Sequence, residues 1–476
     1  MDTQEFRDAG HRMVDWIAEY LESIEGRALF PKGADPRAIE ALFDEALPRG
    51  ETPLAELIGE LDRKLIPNSC HVNHPGYFGF ITPTPTPAGM LGDLLASALN
   101  QNVGAWSIGP GAVALERRVV RWLCDLAGYG PKAGGHLTSG GMMANFEGLK
   151  LARDAQSGDR AQNSGVSGRF VVYGSEERHV SVDKAVDAIG FGRQGYRALP
   201  TDDDFAVRLD ALEEAIAADR KVGMQPVALV GMAGTTNTGA LDDLQALRRI
   251  ADREKLWLHV DAAYGGGMLL SERWPGLLKG IATADSITID PHKWFYAPLD
   301  AGAVLVRDGA QLTRSFGMEP AYLKDDMDAS GERFQFFVHS FEQSRRFRGL
   351  KVWLSFKRYG AVQIGRWIDA NIEQARALYE LAVASKRLVP AARPRLSAVC
   401  LRFEDPRLPR DREERLHALV ARRLEDAGEY WITTTRLKGR HVFRINPVNF
   451  RTRLEHMQGL LEAILRECDR ALAEGF

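Results

Sequence analysis

A chain of 476 residues with 45% hydrophobic and 26% charged residues has material for two or three domains and a large core. Its 61 Lys and Arg nearly balance 64 Asp and Glu, so it lacks the basic excess that nucleic acid or an anionic membrane surface would require. The four cysteines, Cys70, Cys124, Cys400 and Cys468, form no C-x-x-C pair. That argues against a zinc site or disulfide framework and fits a reducing compartment. The polar, acidic start offers no secretory signal, and no apolar run reaches the length of a membrane span. A cytoplasmic protein without metal is expected.

Apolar residues at helical spacing predict helices over 6–24 and 54–66, the second stopped by Pro67, with a Gly/Pro-bearing connector around 31–36. These amphipathic helices need cover for their apolar faces, from their own domain or from a second subunit. The stretch 74–87 is rich in proline and aromatic residues. Its Tyr77, Phe78 and Phe80 could cover a core or line a substrate pocket. Helices over 90–99 and 114–126 follow, joined by a connector that includes 103–110.

From His136 the pattern becomes strand, glycine turn, helix. Gly140 and Gly141 let backbone N–H groups approach an anion, at a helix N-terminus whose dipole adds positive potential. The stretch 158–168 is rich in Gly, Ser and Asn and is expected to be a surface loop. A strand at 169–173 leads to His179, which opens a helix over 180–189. The apolar strand 227–232 runs into Gly234-Thr-Thr236, helix 242–254 follows, and the next strand ends in Asp261 before a glycine turn. Residues 286–290 alternate as a strand that Pro291 ends, so His292 and Lys293 project from a strand end. A further strand is expected at 303–307. Strands apolar on both faces, alternating with helices, predict an α/β protein with a mostly parallel sheet.

Periodicity is lost over 325–343, where Asp325, Asp326, Asp328 and Glu332 stand near Phe334, Phe336 and Phe337. Such a stretch in a compact domain suggests a lid. Helices over 350–359 and 367–384 lead to a smaller C-terminal domain. There strands are expected at 399–403, 430–434 and 442–445, under helices over 413–427 and 451–472.

A lysine buried at a strand end loses hydration of its ammonium, which favours the free amine as nucleophile or Schiff-base former. Asp261, at the end of another strand, adds a carboxylate. A lysine for an aldehyde and a carboxylate for a pyridinium nitrogen are the pair that pyridoxal phosphate chemistry needs. Taken one at a time, Lys293 could be a surface lysine, His179 a satisfied core histidine and Thr236 a capping hydroxyl.

In chain order, the glycine turn, His179, Thr236, Asp261 and His292-Lys293 make the sequence resemble the group II pyridoxal phosphate-dependent decarboxylases. These include the aromatic amino acid, histidine and glutamate decarboxylases and their aldehyde-forming relatives. The resemblance spans 6–461 and rests most on His259-Val-Asp-Ala-Ala-Tyr-Gly265 and Asp290-Pro-His-Lys-Trp294. It implies the aminotransferase-like fold type I, pyridoxal 5'-phosphate as cofactor, and a homodimer with its sites at the interface. The division it implies is an N-terminal helical dimerisation segment (1–85), a large cofactor-binding domain (86–355) and a small α+β domain (356–476). By the same resemblance Lys293 would form the internal aldimine and Asp261 would keep the pyridinium nitrogen protonated. His179 would stack on the ring, and Thr236 and Ala263 would line it. Gly140, Gly141 and the Met142 backbone would hold the phosphate, with His292 beside it and Asp290 near the site. The implied reaction is loss of carbon dioxide from an L-amino acid through a quinonoid, followed by protonation to an amine.

The sequence departs from the family pattern at the lid tyrosine that serves in that protonation. Counting without gaps from Tyr322-Leu-Lys324, or back from Arg345-Arg-Phe-Arg348, reaches Phe336. A phenyl ring has no proton to give. In plant relatives this change accompanies aldehyde synthesis, in which oxygen intercepts the carbanion; His339 or His179 is the alternative donor. Phe80, Ile81 and the Val103-Gly104-Ala105 run, where aromatic decarboxylases have a bulky ring, leave room for an aromatic or large apolar side chain. No basic cluster stands there for glutamate or aspartate. An aminotransferase of the same fold, with Arg444 as carboxylate clamp, is a competing reading. A non-catalytic relative is another, but it should have lost Lys293 or Asp261.

Overall fold

The structure is a computed structural model that describes residues 2–31, 33, 35–157, 160–318 and 332–476. Two compact units divide the chain. One holds Met1–Thr84, Gln374–Ala391 and Val399–Phe476; the other holds Pro85–Glu373 and Ala392–Ala398. The three consecutive parts expected from the sequence thus become two interleaved units, with the N-terminal stretch assigned to the same unit as the C-terminal strands. The expected boundary at 355/356 falls inside one helix, Gly349–Ser385, whose path bends at Gly360 (φ 76°). Chain order alone cannot reveal which segments pack together.

The larger unit is built on a seven-stranded sheet. Its strands are β1 (Gly134–Thr138), β2 (Phe170–Ser175), β3 (Tyr196–Leu199), β4 (Gln225–Met232), β5 (Trp257–Asp261), β6 (Ser286–Ile289) and β7 (Gly302–Val306). The order is β1-β7-β6-β5-β4-β2-β3. Strands β3, β2, β4, β5 and β6 pair in parallel, and β7 runs antiparallel to both β6 and β1. Every strand but β7 therefore points the same way, and one sheet edge collects their C-terminal ends. Every residue of β5, β6 and β7 is buried, as expected of strands covered on both faces. The short edge strand β3 was not predicted; its mixed sequence carries little period-2 signal.

The smaller unit carries an antiparallel sheet of β8 (Leu388–Pro390), β9 (Val399–Phe403), β10 (Thr433–Leu437) and β11 (Arg440–Ile445), in the order β10-β11-β9-β8. Helices Arg410–Ala427 and Leu454–Ala473 share its core, where Val399, Leu401, Phe403, Leu416, Val420, Phe443 and Ile464 pack together. The strand expected at 430–434 is displaced to Thr433–Leu437 because a two-residue turn sets the pairing. Lys438 and Gly439 both have positive φ (45° and 76°), and Leu437 stands opposite Arg440. Trp431 is used elsewhere: its N–H donates to Gly76 O, and its carbonyl accepts the Phe78 N–H. In the same unit Asp2 caps the helix Thr3–Glu22, and Trp16 Nε1 donates to Asp62 Oδ1 of the helix Leu54–Lys64 at 3.0 Å.

Within the stretch expected as a loop over 158–168 lies a short helix, Arg160–Ser164. Of the expected lid, Asp325, Asp326 and Asp328 lie outside the described residues, as does the run from Tyr322 to Lys324 used for the count. The described part turns inward. Phe336 is fully buried with Val103, Val113, Phe347 and Leu350, and the Arg345 guanidinium lies 4.4 Å from its ring centroid. Arg345 in turn pairs with Glu116 at 2.6 Å and donates to Leu137 O of β1; both charged side chains are fully buried. Two desolvated charges stabilise each other only as a pair, and removing one leaves the other stranded. Glu116→Ala is therefore expected to destabilise the protein by about 3–5 kcal/mol. A lowered urea midpoint would show it, and Glu116→Leu/Arg345→Met should recover part of the loss.

Candidate active site

The collected strand ends surround a cavity of about 280 Å³. All ten residues that the resemblance nominated around the cofactor line it: Gly140, Gly141, Met142, His179, Thr236, Asp261, Ala263, Asp290, His292 and Lys293. They come from far apart in the chain because β1, β2, β4, β5 and β6 each deliver one segment to the same sheet edge. Asn145, Ser181, Met232, Gly234 and Tyr264 complete the lining and were not foreseen.

β1 delivers the glycine turn, after which the helix Gly141–Ser157 begins. A Cβ on Gly141 would stand 2.7 Å from Asp290 Oδ2, so only glycine allows this backbone to sit so close to the carboxylate. β2 leads to His179, the N-cap of the helix Val180–Val186. Its Nδ1 accepts the Ser181 N–H at 3.2 Å and lies 2.8 Å from Ser181 Oγ. Burial lowers the His179 pKa.

Asp261 is the last residue of β5 and is 5% exposed. Its Oδ1 accepts the Ala263 N–H at 3.1 Å, and its Oδ2 accepts from Asn145 Nδ2 at 2.8 Å. Past β6, the Lys293 N–H donates to Asp290 O at 2.8 Å, a turn that brings Lys293 Nζ to 3.2 Å from Asp290 Oδ2. The lysine side chain is 24% exposed, so its amine is reachable from the cavity. His292 Nδ1 accepts the Ala301 N–H at 3.0 Å, leaving Nε2 3.6 Å from Asp290 Oδ2, and burial lowers its pKa.

This donor set fits pyridoxal 5'-phosphate. A reachable lysine amine can meet the aldehyde, a buried carboxylate can face a ring nitrogen, and a helix N-terminus opened by glycine can take the phosphate. Asp290 Oδ1 is buried without a hydrogen-bond partner among the described residues, which leaves acceptor capacity beside Lys293.

Within the larger unit, Val103, Gly104, Phe336 and His339 are not among the residues that line this cavity. Phe336 lies in the packing described above. His339 lines a separate cavity of about 640 Å³ with Trp106, Arg117 and Phe334, its ring 4.3 Å from that of Phe334; burial lowers its pKa. Val103 and Gly104 pair with the lid segment instead: the Val103 N–H donates to Arg345 O, and the Phe337 N–H donates to Gly104 O. Phe80 and Ile81 belong to the smaller unit, where Phe80 meets Trp431 edge-on. Arg444, weighed as a carboxylate clamp, is in that unit too, and its Nη1 donates to Gly79 O at 3.0 Å. Among the described residues no His, Cys, Asp and Glu are grouped to hold a metal, and no helix is long and apolar enough to cross a membrane.

Sequence signals for the unforeseen residues exist. Asn145 sits one turn inside the helix that the glycine pair opens, and Ser181 is two residues past His179. Gly148, in the middle of the same helix, marks a close approach: a Cβ there would lie 2.4 Å from His259 Cε1.

Comparison with known proteins agrees with this geometry. The model of the pyridoxal-dependent decarboxylase conserved domain matches residues 36–404. The chain is 33% identical to an aromatic-L-amino-acid decarboxylase of Bacillus atrophaeus, over 100% of this chain and 96% of that protein. It is 30% identical to a phenylacetaldehyde synthase of Petunia hybrida, over 93% and 90% respectively. A crystal structure of Oryza sativa TDC with PLP and tryptamine superposes with a TM-score of 0.93 at 27% identity, covering 99% of each chain. The chain belongs to the pyridoxal-dependent decarboxylases, the family of aromatic amino acid decarboxylases and aldehyde synthases with fold type I, and its cofactor is pyridoxal 5'-phosphate.

Proposed function

We propose that this enzyme decarboxylates an L-amino acid with an aromatic or large apolar side chain, using Lys293 and Asp261 as its principal catalytic residues. The observation that carries the reading is the convergence of Lys293, Asp261, His179 and the Gly140-Gly141 turn on one cavity. The relatives' names support the substrate class. When bound, pyridoxal phosphate supplies an aldehyde for amines and a ring that accepts the electrons left as carbon dioxide departs.

The chain's own groups have distinct tasks. Lys293 would provide the amine that holds the cofactor between turnovers. Asp261 would favour a proton on the ring nitrogen by its buried negative charge. His179, Thr236 and Ala263 would hold the ring, and the Gly140, Gly141 and Met142 backbone, with His292, would hold the phosphate. We infer a homodimer as well. Leu91, Leu94, Leu95 and Leu99 of the helix Pro87–Leu99 are exposed, as are Phe6, Val14 and Ile17 of Thr3–Glu22, and a second copy would cover such faces.

A second reading, aldehyde formation, is favoured by Phe336. The residue counted to the lid-tyrosine position offers no acid, and one curated relative is a phenylacetaldehyde synthase. General acid catalysis is worth roughly 10²–10⁴-fold, so loss of the acid would slow the amine branch and leave the oxygen branch unaffected.

Incubation with the twenty amino acids under air, reading carbon dioxide, amine, aldehyde and peroxide separately, tests both readings. Release of carbon dioxide from aromatic substrates is expected; amine equal to carbon dioxide without oxygen uptake would remove the aldehyde reading. If Phe336 governs the outcome, Phe336→Tyr should raise the ratio of amine to aldehyde per carbon dioxide released. Borohydride treatment of the loaded enzyme should fix the cofactor on Lys293, with peptide mass spectrometry locating it; labelling at another lysine would sink the assignment. Asp261→Asn is expected to keep the fold, by circular dichroism, and to lose on the order of a thousandfold in turnover, because a neutral amide cannot hold the ring proton by charge.

A further inference from the structure

Behind the cavity wall of the larger unit runs a buried chain of hydrogen bonds whose direction follows from its donors and acceptors once His259 is neutral. It starts at Trp257 Nε1, which can only donate, and donates to Ser286 Oγ at 2.8 Å. Ser286 Oγ lies 2.7 Å from His259 Nδ1, and His259 Nε2 lies 2.9 Å from Asn145 Oδ1. His259 is fully buried and its pKa is pushed down to about 4, so the ring is neutral and carries one proton. The amide oxygen accepts only, so that proton is on Nε2, and Nδ1 accepts from the Ser286 hydroxyl.

The Asn145 amide can stand only one way round. Its Nδ2 is 2.8 Å from Asp261 Oδ2 and 2.8 Å from Ser181 Oγ. Reversing it would set an amide oxygen against a carboxylate and an N–H against the His259 N–H. Both Nδ2 hydrogens are thus committed, one to Asp261 and one to Ser181. The Ser181 hydroxyl, having accepted, has its own hydrogen for His179 Nδ1 at 2.8 Å. The Ser181 backbone N–H donates to the same nitrogen at 3.2 Å. His179 Nδ1 is therefore an acceptor, and its proton is on Nε2, which makes no hydrogen bond among the described residues.

We propose that Asn145 is a positioning residue that joins the two arms of the site, holding the Asp261 carboxylate with one N–H and, by orienting the Ser181 hydroxyl, adding a second hydrogen bond to the one from the Ser181 backbone N–H that holds His179 as the neutral Nε2–H tautomer. His179 then offers the cavity a proton donor rather than an acceptor. This assignment rests on the proposed function only in taking the cavity as the place of reaction. The charges facing His179 are Asp261 and Asp290, which favour its protonation, and Lys293 and Lys184, which oppose it. Hydrogen bonds donated to Nδ1 add to burial in favouring the neutral ring, so their loss must move its titration upward.

Solid-state ¹⁵N spectra of histidine-labelled protein, with His179→Asn to identify the His179 signals, read both tautomer and titration. The wild type, with or without cofactor, should show His179 as a single Nε2–H tautomer. In Asn145→Ala the Ser181 hydroxyl loses the donor that turns its hydrogen towards His179, so the His179 midpoint should rise by up to roughly half to one pH unit, the worth of one hydrogen bond to the neutral form, while the Ser181 backbone N–H keeps Nδ1 an acceptor. Ser181→Ala should reproduce the His179 change while leaving cofactor affinity less affected than Asn145→Ala, since it spares the Asp261 arm. If Asn145→Ala is unstable, Ser181→Ala alone decides. An unchanged His179 midpoint in the folded variants would overturn the proposal. Because these readouts need no turnover, a failure of the substrate reading would leave them standing.

Discussion

Burying the Asp261 carboxylate in the middle of an apolar sheet is the constraint on which the site depends. A lone carboxylate 5% exposed would be neutral or would destabilise the fold. Here a backbone N–H from the turn after β5 and an amide N–H from the helix Gly141–Ser157 occupy its two oxygens. Both donors are neutral, so they stabilise the charge without cancelling it, which a salt bridge to arginine or lysine would do. The carboxylate's negative potential remains directed at whatever occupies the cavity. The sheet supplies the geometry, since β4, β5 and β6 are parallel neighbours and their ends lie side by side.

The same helix that supplies the amide also begins at the glycine turn, so one element ties the anion-binding end of the cavity to the carboxylate end. That requires it to lie close to β5. Gly148 permits this, because any side chain there would enter the ring of His259. A glycine inside a helix costs roughly 1 kcal/mol relative to alanine. The cost is offset by a neutral histidine that orients Asn145, and through it the carboxylate.

Much of this was legible in the sequence for a physical reason. Strands covered on both faces tend to be continuous apolar runs, as β4 is ahead of Thr236, and the alternation of β6, ended by Pro291, marks Lys293 in the same way; Asp261 closes β5 itself. Residues that act on other residues leave weaker traces. Asn145 and Ser181 have no periodicity of their own, and their roles exist only once β5 stands next to the helix. The displaced strand β10 has another cause: its register is set by the positive φ of Lys438 and Gly439, and a lysine does not announce a left-handed turn. β3 and β8 are short, and short edge strands carry too few alternations to stand out.

The lid segment shows where chain order and folding logic part. Counting along the sequence places Phe336 at the position of a catalytic tyrosine, yet within this chain the ring is sealed under Arg345 among Val103, Val113 and Phe347. The two facts are compatible if the hydroxyl's absence is what allows this packing. A phenol in the same place would need a partner for its O–H, and the neighbours named are apolar apart from a guanidinium, which can only donate. At position 336 phenylalanine packs beneath Arg345, whose guanidinium turns inward to meet Glu116 and the carbonyl of Leu137 on β1. Through that strand the packing of the lid segment is mechanically joined to the glycine turn. Any exchange at Phe336 is felt both in the chemistry its side chain could supply and in the support beneath the cavity.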